Sequence, residues 1–490
     1  MKKNSLWQDG YKDLLLPTLN EDMEVDVLII GGGISGLSTA FYLKDSNINI
    51  AIIEKNKVAM GVSSLTTGKL NYLQNLTYSR FEKIFGFDIA KKYLDAQIEA
   101  IKLVSNNIKE YKIDCDYMVD DSFLFTDDEK NIQSLKDEAD FLDRAGISNA
   151  RVTKVPFKTP SIYAIKTPDN AVFHPVKYLY GLVDIILKKG IKIYENTRAL
   201  TVTEKDDYYI VETTSGNIKA KYVVTATHYP FFIKPGMIPF RSHIDRSYVI
   251  AAKTDEIHEI DGISVDPHSP SLRYHNDLNK YIIYAGNTHI PADYLDPKEQ
   301  MEKTMDDFKL YYNNEFTHAW MTHDVVTNDY MPFIGKVDDQ NLFVATGFNK
   351  WGMTNGTIAG KVIADIILDN KNPYIELFDP KRETNIEKIK NTIVDLGIAV
   401  KTFTESKVNK NHDFYPANVE ITTVDGVSAG IYTDDAGVKH IVKNTCPHMK
   451  CSLIFNSFTT TWDCPCHGSR FDIDGNVVQG PSVWDIKIDK

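Results

Sequence analysis

Apolar residues fall along this chain in three rhythms, and each predicts a different kind of element. Short unbroken runs, Val27-Leu28-Ile29-Ile30 and Ile50-Ala51-Ile52-Ile53, read as strands buried on both faces. Steps of three and four residues run through 78–148, most regularly over 87–104, and predict helices there. Alternation of apolar and polar residues from 199 to 228, turning at Ser215-Gly216, predicts sheet. Between these, 150–167 is mixed and carries Pro156 and Pro160. A helix follows His174-Pro175 and stops at Lys188-Lys189-Gly190, a basic last turn with a terminal glycine, and a strand follows over 191–195. Strands are expected at 247–252, 271–274 and 280–285, with a helix at 297–313 among them. Residues 341–346 form a strand, 347–354 a loop and 355–368 a helix. Residues 1–24 read as a polar, irregular arm. The stretch 370–410 reads as a linker holding a charged helix over 382–404. From 411 on the style changes to short strands with tight turns at Asp425-Gly426 and Asp474-Gly475.

The first apolar run leads into Gly31-Gly32-Gly33-Ile34-Ser35-Gly36, then an amphipathic stretch, then the second run and Glu54. Gly31 permits a tight turn, Gly33 lets backbone approach a pyrophosphate, and Gly36 lets a helix lie close on the strand. The helix N-terminus offers free N–H groups to phosphate. Glu54 lies 18 residues after Gly36, near the spacing of an acid that binds a ribose hydroxyl. Strand, turn, helix, strand and acid agree on a dinucleotide site. The loop that follows, with Ser63, Ser64, Thr66, Thr67, Gly68 and Lys69, can supply donors to phosphates and to a ring system. The segment 341–368 is a second strand–glycine loop–helix unit, whose helix N-terminus can face the same ligand.

Length and composition narrow the class. A chain of 490 residues holds more than one core. A net charge of −12 with no long basic run argues against nucleic acid and against anionic membrane surfaces. No apolar run approaches the roughly 20 residues of a membrane span. The N-terminus has two lysines but no apolar core after them, so it does not read as a signal peptide. These features predict a cytoplasmic protein. Of five cysteines, Cys115 stands alone, while Cys446, Cys451, Cys464 and Cys466 cluster near the C-terminus, as in a metal site.

That cluster reads Cys446-Pro447-His448, 15 intervening residues, then Cys464-Pro465-Cys466-His467-Gly468-Ser469. Two Cys–His pairs on two loops can clamp a metal pair. A Cys2His2 zinc site is the rival, although zinc spacing normally runs Cys-Cys, then His-His. The pattern resembles a Rieske [2Fe–2S] domain over about 411–490. The resemblance implies that Cys446 and Cys464 hold one iron and His448 and His467 the other. It also implies a Cys451–Cys466 disulfide joining the two loops. Ser469 matches the family serine that donates to a cluster sulfur, and Gly480-Pro481 the covering proline loop. Phe471 stands where high-potential members have tyrosine, which predicts a lower potential here.

The helix pattern after Gly36, the Ser63–Lys69 loop, the Ala226-Thr227 turn after a strand, and 347–354 together resemble the D-amino acid oxidase or glycine oxidase superfamily. The resemblance covers about 24–370. It implies FAD as cofactor and an α/β Rossmann-type FAD-binding domain with an inserted antiparallel-sheet substrate domain, ahead of the small all-β Rieske domain. The FAD-binding parts would be about 25–75, 165–230 and 320–370, and the substrate domain about 76–164 and 231–319. By position, Gly31, Gly33, Ser35 and Gly36 face the pyrophosphate and Glu54 the adenosine ribose. Ser63 and Ser64 lie along the cofactor, Ala199 contacts adenine, and Gly352, Met353 and Thr354 lie near the flavin. The order as a whole resembles a bacterial group of FAD-dependent Rieske oxidoreductases.

No second G-x-G-x-x-G is present for a nicotinamide, so electrons are expected to enter or leave through the cluster. No Asp-x2-His-x4-His run is present for a mononuclear iron, which disfavours dioxygenation. Candidate catalytic residues are Lys69 beside the flavin, Arg273 as a bidentate grip on a carboxylate, and His289 as acid or base. His228 belongs to the nucleotide fold. The expected function is hydride exchange between FAD and a small amine or amino-acid-like substrate, with single electrons passing between FAD and the cluster. An external one-electron carrier such as ferredoxin completes the circuit. The alternative is a redox-sensing or electron-relay protein without a substrate of its own.

Overall fold

A computed structural model describes residues 1–9, 12–232, 237–255, 261–266, 271–275, 280–382 and 415–488. Beyond Arg382, the charged helix expected over 382–404 lies outside these residues.

The unbroken apolar runs form the centre of a sheet. Its order is Phe333–Lys336, Leu342–Thr346, Gly216–Thr225, Met23–Ile30, Ile50–Ile53 and Lys192–Tyr194, with the strands Ala199–Glu204 and Tyr209–Thr213 paired beside Gly216–Thr225. The five strands from Leu342–Thr346 to Lys192–Tyr194 run parallel. Val27, Leu28 and Ile29 are wholly buried because a parallel sheet is covered on both faces. The helices Ile34–Leu43 and Gly352–Ile367 pack on each other through two glycines. A Cβ on Gly356 would meet Ile34 at 2.6 Å, and one on Gly360 would meet backbone of Ser38 at 2.6 Å. This close approach sets both helix N-termini beside the ends of the parallel strands, where such sheets bind ligands.

A second, nine-stranded sheet has the main order Phe316–Thr327, Ser242–Lys253, Tyr281–His289, Ser271–His275, Asp261–Ser264, Met118–Thr126, Tyr163–Val172 and Lys69–Leu70. Several of its strands depart from the sequence reading, and Met118–Thr126 and Phe316–Thr327 show why. The stretch 78–148 is helical at Thr77–Phe85, Phe87–Tyr111 and Ile132–Arg144, but Met118–Thr126 breaks it as a strand. Phe123, Leu124 and Phe125 are buried in succession, and a short buried run fits helix or strand until its partners are known. Here the partners are Tyr163–Val172 and Asp261–Ser264, distant in sequence. Phe316–Thr327 is equally ambiguous in sequence, since three successive polar residues, Thr322, His323 and Asp324, interrupt its apolar positions. The arm at the N-terminus is also less loose than its composition implies. Leu6 and Trp7 are buried, Trp7 Nε1 donates to the Thr66 carbonyl (2.6 Å), and Gln8 Nε2 donates to Ser64 Oγ (2.9 Å).

The C-terminal domain carries a three-stranded sheet, Val419–Val424, Val427–Thr433 and Lys439–Lys443, and a four-stranded one, Ile454–Asn456, Thr461–Asp463, Arg470–Phe471 and Val477–Gln479. It docks on the larger body through buried side chains. Arg246 Nη2 donates to Asp463 (2.8 Å), Asn456 touches Met321 Sδ (3.3 Å), and a Cβ on Gly468 would rest against His323 and Ile244. At the rim, Lys55 Nζ donates to the Val478 carbonyl (2.7 Å), and Arg198 pairs with Asp485 (3.0 Å). Among the described residues no helix is long and apolar enough to cross a membrane.

Candidate functional site

A cavity of about 750 Å³ opens between the two sheets and is closed in part by the C-terminal domain. Gly31, Gly33 and Ser35 line it, with Glu54, Ser63, Ala199, Lys69, Gly352, Met353 and Thr354. Local geometry explains the glycines. Gly31 has φ +115°, and a Cβ there would collide with the Ala226 carbonyl. Gly36 stands behind the turn, where a Cβ would collide with the Gly31 carbonyl. Ser63 Oγ accepts from the Ile34 N–H (3.0 Å) at the first helix's N-terminus. The Glu54 carboxylate accepts from Gly32 N–H (2.8 Å) and Asn56 N–H (3.0 Å), so it braces the turn while facing the cavity. Ser64 is wholly buried off the cavity wall and donates to the Gly61 carbonyl (2.8 Å). The N-terminus of Gly352–Ile367 has no side-chain cap, so its N–H groups and positive dipole end are turned to the cavity.

The three candidate catalytic residues fare differently. Lys69 lines the cavity, but its ammonium forms an ion pair with Asp261 and donates to the Gly262 carbonyl (3.1 Å). Asp261 is held in turn by Asn71 and Ser122, each at 3.0 Å. His289 is absent from the cavity wall; its ring stacks on Tyr248 at 5.7 Å. Burial, with Arg246 nearby, lowers His289 to about 4, so the ring is neutral at pH 7. The backbone of Arg273 pairs with Asp261 and Ile283, and its side chain lies outside the described residues.

Cys446 and His448 sit on one loop of the C-terminal domain, Cys464 and His467 on another. Each loop is a turn closed by backbone bonds, Lys450 N–H to the Cys446 carbonyl (3.0 Å) and Gly468 N–H to the Cys464 carbonyl (3.1 Å). A Cys451–Cys466 disulfide ties the loops together. Phe471 is buried and pairs with Trp462. The donor set fits an iron–sulfur cluster. Both ring nitrogens of His448, and Nδ1 of His467, are buried without a hydrogen bond among the described residues. Buried polar atoms are seldom left so, except where a ligand takes them up. His467 has its remaining bond with the Pro239 backbone carbonyl, an outer partner from the larger body. Burial lowers His448 to about 4, and burial with His448 lowers His467 to about 3, which keeps both rings neutral for metal. The Cys446 thiol is pushed down by the Cys464 thiol, the N–H groups of His448 and Met449, and Ser469, all of which favour thiolate.

Tyr229 connects the two sites. It lines the cavity, and its ring lies 5.6 Å from that of His467 and 6.5 Å from that of His448. It follows the strand Gly216–Thr225, whose tip carries Ala226, the partner of Gly31. Beside it, two successive cross-strand pairs of one ribbon point opposite ways. Arg246 and His323 pair and face the C-terminal domain, with Arg246 Nε donating to His323 Nε2 (2.9 Å). Asp245 and Asp324 pair and face the other side, where Asp324 lines the cavity.

A dinucleotide cavity whose wall touches a two-cysteine, two-histidine pocket defines a flavin and iron–sulfur oxidoreductase. Residues 26–366 match the family model for FAD-dependent oxidoreductases (DAO), and 404–488 match that for the Rieske [2Fe–2S] domain. The chain belongs to the FAD-dependent oxidoreductase family and carries a C-terminal Rieske domain; it is an enzyme that binds FAD and a [2Fe–2S] cluster. It is 33% identical to YhfW of Bacillus subtilis (strain 168), described as a Rieske 2Fe-2S iron-sulfur protein, over 96% of this chain and 94% of that one. It is 25% identical to gamma-glutamylputrescine oxidoreductase of Escherichia coli (strain K12), over 71% of this chain and 85% of that one. Among solved structures, glycine oxidase from Geobacillus kaustophilus superposes with a TM-score of 0.61 at 16% identity, over 74% of this chain and 100% of that one, a likeness of fold.

Tyr229, Asp324, Arg246, His323 and Lys350, which lines the cavity and pairs with Asp245 at 2.9 Å, are site residues that sequence reasoning missed. Tyr229 follows the Ala226-Thr227 turn, but nothing local in the sequence says that a second domain packs on it. Acids at facing positions of two polar strands carried a signal, which becomes visible once those strands are paired.

Proposed function

We propose that this enzyme exchanges a hydride between FAD and a small amine or amino-acid-like substrate, and passes single electrons between FAD and the Rieske cluster and on to a carrier such as ferredoxin. The observation that carries the reading is Tyr229, one buried ring in contact with both the cavity and the two histidines of the cluster pocket. Bound FAD supplies two-electron hydride chemistry and the cluster one-electron chemistry. The chain's part is to hold and orient them. Gly31, Gly33, Ser35 and the N-terminus of Ile34–Leu43 receive the pyrophosphate, Glu54 the ribose, and Ala199 the adenine. Ser63 lies along the cofactor, Gly36 and Ser64 support it from behind, and Gly352, Met353 and Thr354 lie near the flavin ring. Cys446 and Cys464 hold one iron, and His448 and His467 the other. Lys69, bound to Asp261, positions its strand rather than reacting. The E. coli relative's name, gamma-glutamylputrescine oxidoreductase, supports an amine. We place the protein in the cytoplasm, and the partition of FAD-binding and substrate segments follows the sequence reading.

The test is anaerobic addition of amines and amino acids to holoprotein, followed through flavin absorption and the cluster's EPR signal. Reduction of both groups by one substrate class is expected, with Tyr229→Leu slowing the second phase. Reduction by ferredoxin, with no response to any amine or amino acid, would reject the substrate and leave the relay.

A further inference from the structure

The charges around the cavity do not balance, and the imbalance has an address. Most cations of its wall are matched within the protein. Lys69 is paired with Asp261, Arg198 with Asp485 and Arg470 with Asp463, while Lys55 donates to the neutral Val478 carbonyl. Lys350 is paired with Asp245 at 2.9 Å, and His243 stands 3.5 Å from the same carboxylate. Asp324 is the exception. Its side chain lines the cavity, yet among the described residues it accepts no hydrogen bond and joins no ion pair within 4 Å. It sits directly opposite Asp245 across two strands, an arrangement of like charges that weakens a sheet. Lys350 lies near both acids, and one lysine does not neutralise two carboxylates. Burial raises Asp324 to about 6, with Lys350 opposing, so it is mostly ionised at neutral pH. A desolvated carboxylate turned to a cavity without a partner is costly unless a ligand supplies the partner.

We infer that Asp324 is the anionic anchor of the substrate space, and that the substrate is a small cationic amine, such as an alkyl diamine, held there by an ammonium group. This rests on the reading of the cavity as the substrate site of an amine oxidoreductase. At this point the wall carries the sign opposite to one built for a carboxylate: an acid here repels butyrate and attracts an ammonium ion.

The test uses holoprotein with FAD and cluster contents confirmed by absorption. Anaerobic titration with 1,4-diaminobutane, glycine and butyrate is followed by the perturbation of the flavin spectrum, which reports binding without turnover. The diamine is expected to bind the wild type most tightly. Asp324→Asn weakens it by about 30-fold, the loss expected for a charge-assisted hydrogen bond, and Asp324→Glu restores binding to within about fivefold of wild type. Butyrate binds Asp324→Asn more tightly than wild type. The inference is overturned if Asp324→Asn, with intact flavin and cluster spectra, binds the diamine within about twofold of wild type. Tighter binding of glycine or butyrate to the wild type overturns it too, while leaving the enzyme reading standing. Silence of all three probes overturns both.

Discussion

Two neighbouring cross-strand pairs on one ribbon have opposite fates. Arg246 and His323 face the Rieske domain and are bound to each other. Arg246 bonds His323 and Asp463, and Asp463 also takes Asn456 (2.8 Å), Thr461 (2.7 Å) and Arg470 (3.3 Å). One residue along each strand, Asp245 and Asp324 face away from that domain; Lys350 pairs with Asp245, and Asp324 lines the cavity. Side chains of a strand alternate between faces, so one register serves both purposes. Where the ribbon meets protein, every charge finds a protein partner. Where it meets the cavity, one charge is left for something else. The contrast separates polar residues that specify how the domains dock from those that recognise a small molecule.

The largest effect is expected at the cluster pocket itself. Cys464→Ser should abolish the cluster's absorption and EPR signals while FAD absorption persists, since the cavity's glycine turns belong to another domain. Loss of FAD along with the cluster would mean that the two sites are one cooperative unit. Next in size, Arg246→Ala removes one partner of a buried pair and should cost about 3 kcal/mol in denaturant unfolding. A change near zero would place the docking energy elsewhere.

Across the ribbon the sign reverses. Asp324→Asn relieves like-charge opposition and should stabilise the protein by about 0.5–1 kcal/mol at neutral pH. A carboxyl raised on folding weakens the fold as pH climbs, because the folded state binds more protons than the unfolded one. Asp324 stands at about 6 when folded, against an ordinary value near 4. The gain from Asp324→Asn should therefore be full above about pH 6 and vanish below about pH 4. A gain that persists in acid would assign it to packing. The smallest effect is expected at the rim, where Arg198→Ala breaks a part-exposed pair with Asp485 and should cost about 0.5 kcal/mol. A larger cost would show that the domain edge is held more firmly than its exposure suggests.

Much of this molecule is determined by short-range chemistry, and that much is legible in sequence. The turn at Gly31, the helix after it and Glu54 at the tip of the next strand form one local unit. Cys446, His448, Cys464 and His467 lie on two short loops whose spacing is their message. Cofactor chemistry demands such local order, because backbone N–H groups and paired ligands must be pre-set within a few residues. The strand Met118–Thr126 was not legible, since its apolar run takes its form from partners more than 30 residues away in sequence. Nor was the fate of Lys69, whose charge is consumed by Asp261. Tyr229 became a bridge, and Asp324 a lone charge, only when two distant strands paired and a second domain closed over them. The sequence alone established the two redox groups this protein carries. The tertiary structure decided what stands between them and which charge faces the cavity, because contact and desolvation arise only when remote segments share one surface.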